Sequence, residues 1–309
     1  MTLRPDSAAL ASCLGDSEVS VFLFHGVTPR NHYGVRNYTG KHLAKDSFVD
    51  IIRHLVARGH PASMDDLLAH VTGVEPCPAR SFVITFDDGF WNNASVAAPV
   101  LSDFGVPATF YVTTDFIDLD AMSWADRIEA AVASTTLTEV TCPHPIEGTH
   151  RIATIDDQIR FMSLVRLGVK GDPRTDADRF ADLLVELLLG GRVADTVEVL
   201  DRKLSWDNVR QLEADPLFIV GGHGRTHRIL GYLDPVEMRM ELVHCIEQLR
   251  TQGGARAEHF SYPEGFVGSY TTELIDALDE LSVKTGVTTE SGTNSRGQDP
   301  MALRRFFVA

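Results

Sequence analysis

The sequence has no paired cysteines. Cys13, Cys77, Cys142 and Cys245 lie far apart, with no C-x-x-C among them. That pattern does not suit a disulfide framework or a cysteine zinc knuckle, and it is at ease in a reducing compartment. Basic residues are also scarce: 28 Lys+Arg stand against 43 Asp+Glu, for a net charge of -15. So acidic a surface repels phosphate backbones, so neither nucleic acid nor an anionic membrane is an expected partner. No run of eighteen apolar residues occurs, and the greasiest stretch, Leu183–Leu189, is interrupted by Glu186. No membrane span is therefore expected. The opening MTLRPDSAALASCLGDSE has no long apolar core behind a basic start. It does not read as a secretory signal, and the expectation is a soluble cytoplasmic protein. Internal repeats and low-complexity segments do not stand out either.

What is present is the balance of an ordinary globular chain, long enough for one large α/β domain or two smaller ones. Short apolar, β-branched runs alternate with helical patterns, which predicts parallel α/β architecture. The expected strands are Val19–Phe24, Phe82–Phe86, Ala108–Val112, Leu217–Val220, Phe260–Tyr262 and Val283–Thr288. Several are continuous apolar runs, as strands covered on both faces require. Helices are expected over Ser47–Arg58, Asn92–Phe104, Pro235–Gln252 and Thr271–Leu281. Between Thr113 and Pro216 the rhythm breaks. Helical patterns at Trp124–Ala133, Ile155–Leu167 and Asp176–Leu189 follow one another with no convincing strand between them. Residues 113–216 read as a helical insertion within a single domain of 309 residues, with helices too few and short to guarantee a core of their own. This segment holds twenty acidic and eleven basic residues, most of the acid surplus. It reads as a solvated surface that covers a site or forms a contact between subunits of a homo-oligomer.

Four strand ends carry chemistry. In Ser81-Phe82-Val83-Ile84-Thr85-Phe86-Asp87-Asp88-Gly89 an apolar strand stops at two adjacent carboxylates and a glycine. In parallel α/β proteins sites are built at such carboxyl ends. Neighbouring carboxylates repel unless a cation or proton sits with them, so the pair points to a metal or a tuned base. Asp65-Asp66 and Asp156-Asp157 read differently, as first-turn carboxylates behind Ser63 and Thr154. The second strand end is Gly221-Gly222-His223-Gly224-Arg225-Thr226-His227. Its two histidines, four apart on one helical face, could grip one zinc-type ion, although an H-x3-H pair alone is a weak signal. His25 closes the first strand in Leu23-Phe24-His25-Gly26 and gains weight only from company. The fourth, Phe260-Ser261-Tyr262-Pro263-Glu264-Gly265, is a generic strand and turn.

Taken in this order, the first, second and fourth motifs resemble those of the polysaccharide deacetylases, the NodB-homology group of carbohydrate esterases. The resemblance runs from about Val19 to the C-terminus, apart from the insertion. It implies a distorted, incomplete (β/α)7 barrel, NodB-like, with a helical insertion. It also implies metal-dependent removal of an N-acetyl or other small acyl group from an amino sugar or saccharide. Carried over by position, Asp87 is the general base, and Asp88, His223 and His227 hold a divalent ion, usually zinc. His25 takes the place of the catalytic histidine of circularly shifted members. The expected arginine motif, R-x-P-Y, stands here as Ser261-Tyr262-Pro263-Glu264, so its arginine is missing. Arg225, Arg304 and Arg305 are the candidates to replace it. Tyr262, Pro263, Glu264 and Trp91 are expected to touch substrate, with Trp124 as a further stacking face; packing is an equal explanation for the aromatics. Removal of formyl, opening of a cyclic amide, and a non-catalytic carbohydrate-binding relative are the competing readings. A cytoplasmic member would act on a nucleotide-linked, lipid-linked or free amino sugar.

Overall fold

The computed structural model describes residues 2–3, 10, 12–30, 33–192 and 194–309. Much of the opening segment, residues 1, 4–9 and 11, lies outside the described residues. Seven parallel strands build the body: β1 (Ser20–Phe24), β2 (Ser81–Phe86), β3 (Ala108–Val112), β4 (Phe218–Gly222), β5 (His259–Ser261), β6 (Thr285–Val287) and β7 (Phe306–Val308). They lie side by side in the order β7-β1-β2-β3-β4-β5-β6. Two short pieces extend the sheet: Thr2–Leu3 beside β7, and His60–Pro61 beside the start of β2. Beyond β6 the chain hydrogen-bonds back along that strand, from Leu303 N to Gly286 O and from Thr288 N to Leu303 O. It then crosses to pair with β1 as β7. The sheet thus curls round on itself, an incomplete barrel whose last seam is a single parallel bridge, Val287 to Leu303.

Strands β1, β2 and β3 are buried at every residue, which is why they are continuous apolar runs. Phe24, Phe86 and Phe110 face one another in register, with ring centroids 5.5 and 5.1 Å apart. Each buried ring contributes about 1.5–3 kcal/mol by leaving water. The ladder stiffens the floor beneath the strand ends. Outside the sheet pack α1 (Lys45–Val56), α2 (Met64–Thr72), α3 (Ala98–Phe104), α8 (Pro235–Thr251) and α9 (Thr272–Glu280). Ser63 closes a capping box with Asp66, and Thr154 does the same with Asp157, so both of those Asp-Asp pairs begin helices.

Between β3 and β4 run α4 (Trp124–Ser134), α5 (Ile155–Gly171), α6 (Ala177–Leu189) and α7 (Trp206–Ala214). Two features depart from the sequence reading. A two-stranded antiparallel hairpin, Glu139–Cys142 with Gly148–Arg151, lies between α4 and α5. Its inward Val140 and Cys142 join Ile128, Phe161, Val165 and Leu184 in a separate apolar core. The insertion does bury a core, because the hairpin and Val35 supply faces the helices lack. Leu204, with Val209 and Leu212 of α7, belongs to the main core instead, and Ile117 packs against it. No helix among the described residues is long and apolar enough to cross a membrane.

Candidate active site

The strand ends meet at a cavity of about 410 Å³, within the size range of small-molecule sites. His25 reaches it from β1, Asp87 and Asp88 from β2, His223 and His227 from β4, and Glu264 from β5. The opposite wall comes from the insertion: Ser123, Trp124 and Ala125 at the start of α4, and Arg166 and Lys170 on α5. The acidic insertion is thus part of the site and not a solvated bystander.

The carboxylates are separated by backbone geometry. Asp87 N still donates to Phe24 O, so Asp87 ends the strand ladder at 3.0 Å. Asp88 and Gly89 then turn into the left-handed region, with φ of 76° and 74°. A Cβ at Gly89 would lie 2.5 Å from Val112 Cγ1, so only glycine fits. The turn sends the two neighbouring side chains to different partners. His227 and Glu264 also carry positive φ, of 65° and 63°, an uncommon strain for such residues that gathers here around one cavity.

Asp88 Oδ1 sits 3.5 Å from His223 Nε2 and 3.2 Å from His227 Nε2. The three ligand atoms lie within 4.8 Å of one another. Asp88 Oδ1 is buried and has no hydrogen-bond partner. The Nδ1–H of His223 donates to Ser261 O at 2.7 Å, which leaves Nε2 as a lone pair facing Asp88. A carboxylate oxygen and imidazole nitrogens converging in a buried spot fit a divalent cation. The histidines stand on a loop, not on a helix face: β4 ends at Gly222, and Gly224 with φ of 76° bends the chain back. That loop is pinned from α8. The buried Glu241 carboxylate accepts from Arg225 N at 3.1 Å, Thr226 N at 2.9 Å and Thr226 Oγ1 at 2.8 Å. Nothing in the sequence marked Glu241, because its partners are two backbone N–H groups and a threonine hydroxyl.

Asp87 is held from the other side by Arg305. Nη1 donates to Oδ1 and Nη2 to Oδ2, both at 2.8 Å, and Ser261 Oγ adds a bond to Oδ2 at 3.1 Å. Burial pushes the Asp87 carboxyl up, but Arg305, with His223 and His25 adding to it, holds the group below the ordinary carboxylate range. Of the three candidate arginines, Arg305 alone reaches the base. Arg225 pairs with Asp115, and Arg304, whose N–H donates to Asn294 Oδ1, lays its side chain beside Gly292. Ser261, in the place of the expected arginine, bridges Arg305 and Asp87 and accepts from Nη2 at 3.0 Å. His25 packs edge-on against Phe307, with centroids 5.3 Å apart, and burial lowers its pKa despite the nearby aspartates.

The expected substrate residues divide. Glu264 lines the cavity and pairs with Lys170 across it. Tyr262 is buried in the wall, stacked on Tyr270 with its hydroxyl donating to Met301 O, and does not face the cavity. Pro263 packs towards Gly224 and does not line the cavity either. Trp91 points away. The chain at Arg202–Lys203 pairs antiparallel beside it, and the Arg202 guanidinium covers its ring at 4.5 Å. Trp124 does line the cavity.

A parallel barrel with acid, base and imidazole groups at its carboxyl ends defines a hydrolase-type site. A family profile described as Polysaccharide deacetylase matches residues 75–160 and 184–286, and the chain belongs to the polysaccharide deacetylase family, hydrolases of carbon–nitrogen bonds other than peptide bonds. No curated protein sequence matches it significantly. In fold it is similar to the deacetylase PplD of Streptococcus pyogenes, solved with acetate (TM-score 0.59, 15% identity, 94% of this chain and 92% of that one). It is also similar to IcaB of Ammonifex degensii (0.60, 15%, 96% and 94%). A third is the BpsB deacetylase domain of Bordetella bronchiseptica (0.55, 16%, 94% and 97%).

Proposed function

We propose that the protein is a divalent-metal-dependent hydrolase that removes the acetyl group from the nitrogen of an N-acetylated amino sugar. One observation carries this reading: the buried, unpartnered Asp88 Oδ1 lies between His223 and His227, beside an Asp87 locked by Arg305. Asp88, His223 and His227 would hold the ion, zinc in our reading because two imidazoles and a carboxylate suit it, and a bound ion supplies Lewis acidity toward water and the acetyl carbonyl.

The chain's own groups do the proton work. Asp87 is anionic at neutral pH because Arg305 stabilises its charge, and it accepts the proton of the attacking water. The two-pronged guanidinium also stops the carboxylate from rotating away from its task. His25, in the fraction that carries a proton despite its lowered pKa, gives that proton to the departing nitrogen, so the sugar leaves as a neutral amine and not as an amide anion. We assign His25 this role by its place at the end of β1, between β7 and β2, the position the circularly shifted reading assigns to the catalytic histidine. The family profile begins downstream of it, at residue 75.

The test is direct. Incubation with zinc or cobalt and N-acetylated amino sugars is expected to release acetate. Formate released from N-formyl sugars, with no acetate from acetyl sugars, would make the protein a deformylase. Release from neither would overturn the catalytic reading.

A further inference from the structure

Every carboxylate lining the cavity already has a cationic or metal-ligating partner. Asp87 is held by Arg305, Glu264 by Lys170, and Asp88 faces the two histidines. The cations of the insertion wall are not matched in the same way. Lys41 and Arg166 line the cavity on this side, and Arg36 and Lys203 lie behind them, against Asp126, Asp201 and Glu129. Arg36 pairs with Asp201, and Lys41 with Asp126. Lys203, with 1% of its side chain exposed, shares that same Asp126 from 3.8 Å and has no hydrogen-bond partner at Nζ. Arg166 lines the cavity, and its nearest carboxylate is Glu129 at 4.0 Å, too far for a hydrogen bond. Arg166 Nε and Glu129 Oε2 are both buried and unpartnered. Burial pushes the Glu129 carboxyl up to about 8 and the Lys203 ammonium down to about 8, so Glu129 is a weak counter-charge for Arg166, which stays fully cationic. One cavity wall of a chain with net charge -15 therefore carries surplus positive charge, with a guanidinium at its surface.

We propose that Arg166, backed by Lys41 and Lys203, binds an oxyanion carried by the substrate, so that the preferred amino sugar bears a phosphate or carboxylate group. This deepens the amino-sugar reading and rests on it. A planar guanidinium that lies over the Tyr38 ring and has no carboxylate within hydrogen-bond distance suits both groups, and a surplus cation in a poorly hydrated wall gains more from an anion than one in bulk water.

The test reads binding and needs no turnover. Affinities of the purified protein for glucosamine, glucosamine 1-phosphate and 2-amino-2-deoxyglucuronic acid are measured by calorimetry. At least one charged sugar is expected to bind about tenfold or more tightly than glucosamine, in line with charge-assisted hydrogen bonds. The phosphate and carboxylate arms show which oxyanion the site takes. The preference should persist after metal is stripped with EDTA, fall to within about threefold in Arg166→Gln, and be largely kept in Arg166→Lys. Equal affinity for charged and neutral sugars overturns the proposal. So does a preference that survives Arg166→Gln, or one that vanishes with EDTA, since either places the anion elsewhere. Failure to release acetate alongside an intact anion preference would overturn only the deacetylase reading.

Discussion

Arg305 and Asp87 stand 218 positions apart and meet in a fully buried two-pronged ion pair, both arms at 2.8 Å. Neither motif spacing nor charge pattern indicates the contact. It exists because β7 lies beside β1, which lies beside β2. Removing one partner of such a pair leaves the other charge buried alone, at a cost of about 3–5 kcal/mol. Arg305→Met should therefore lower the melting temperature markedly and raise the Asp87 pKa, shifting the acid limb of the rate profile upward. Arg305→Lys keeps the charge but loses the fork, and should fall between. A thermal melt and a pH–rate profile check both; an unmoved acid limb in Arg305→Met would sever Arg305 from the base.

Asp87→Asn removes the proton acceptor and leaves the neighbouring ligands in place. Turnover is expected to fall by about 10²–10⁴-fold while bound metal, read by elemental analysis, stays near normal. His223→Ala should do the reverse and lose the ion first. Full metal retention in that variant would count against its place in the set.

Glu241 touches no ligand atom but holds the backbone of Arg225 and Thr226 between the two histidines. Glu241→Ala frees that loop, and His227 with its positive φ loses the support that keeps it strained. Metal affinity is expected to drop about 10–100-fold, as for other groups that orient ligands, with Glu241→Gln recovering part of it. A chelator competition titration measures this, and an unchanged affinity would make the contact merely structural.

Glu129 gives a pH dependence with a definite sign. Its folded pKa of about 8 lies above the ordinary glutamate value of about 4.3, so the folded state holds a proton the unfolded chain releases. The stability from this group is fully present below the ordinary value and is lost as pH rises through about 8. Glu129→Gln should match the parent at pH 4 and melt higher at pH 8–9, by roughly 2–4 °C for each kcal/mol recovered. Parallel melting curves across that range would show that Glu129 is ionised in the folded protein.

The parallel strands follow from local composition, because runs such as Phe82–Phe86 must be buried on both faces wherever they lie. The strand end at Asp87-Asp88-Gly89 was legible too, because an apolar run stops there at two carboxylates and a glycine; that only glycine clears Val112 at that point is a tertiary constraint. Most helix bounds were legible as well: Pro235–Thr251 and Trp124–Ser134 differ by a residue from their periodic patterns. The contacts made where the sheet curls round arise from long-range packing alone. Strand order selected Arg305 over Arg225, and the opposite direction of neighbouring side chains selected it over Arg304, which lies beside Gly292. Tyr262 went into the wall because its register pairs it with Met301 and Tyr270, and Trp91 was covered by the returning chain at Arg202. The hairpin at Glu139–Arg151 was missed because it is short and mostly exposed, with little apolar alternation to read. The cationic wall is the furthest from sequence. The segment richest in acid presents Arg166 and Lys170 inward, because which face of a helix meets the cavity depends on packing against the barrel and not on the sum of its charges.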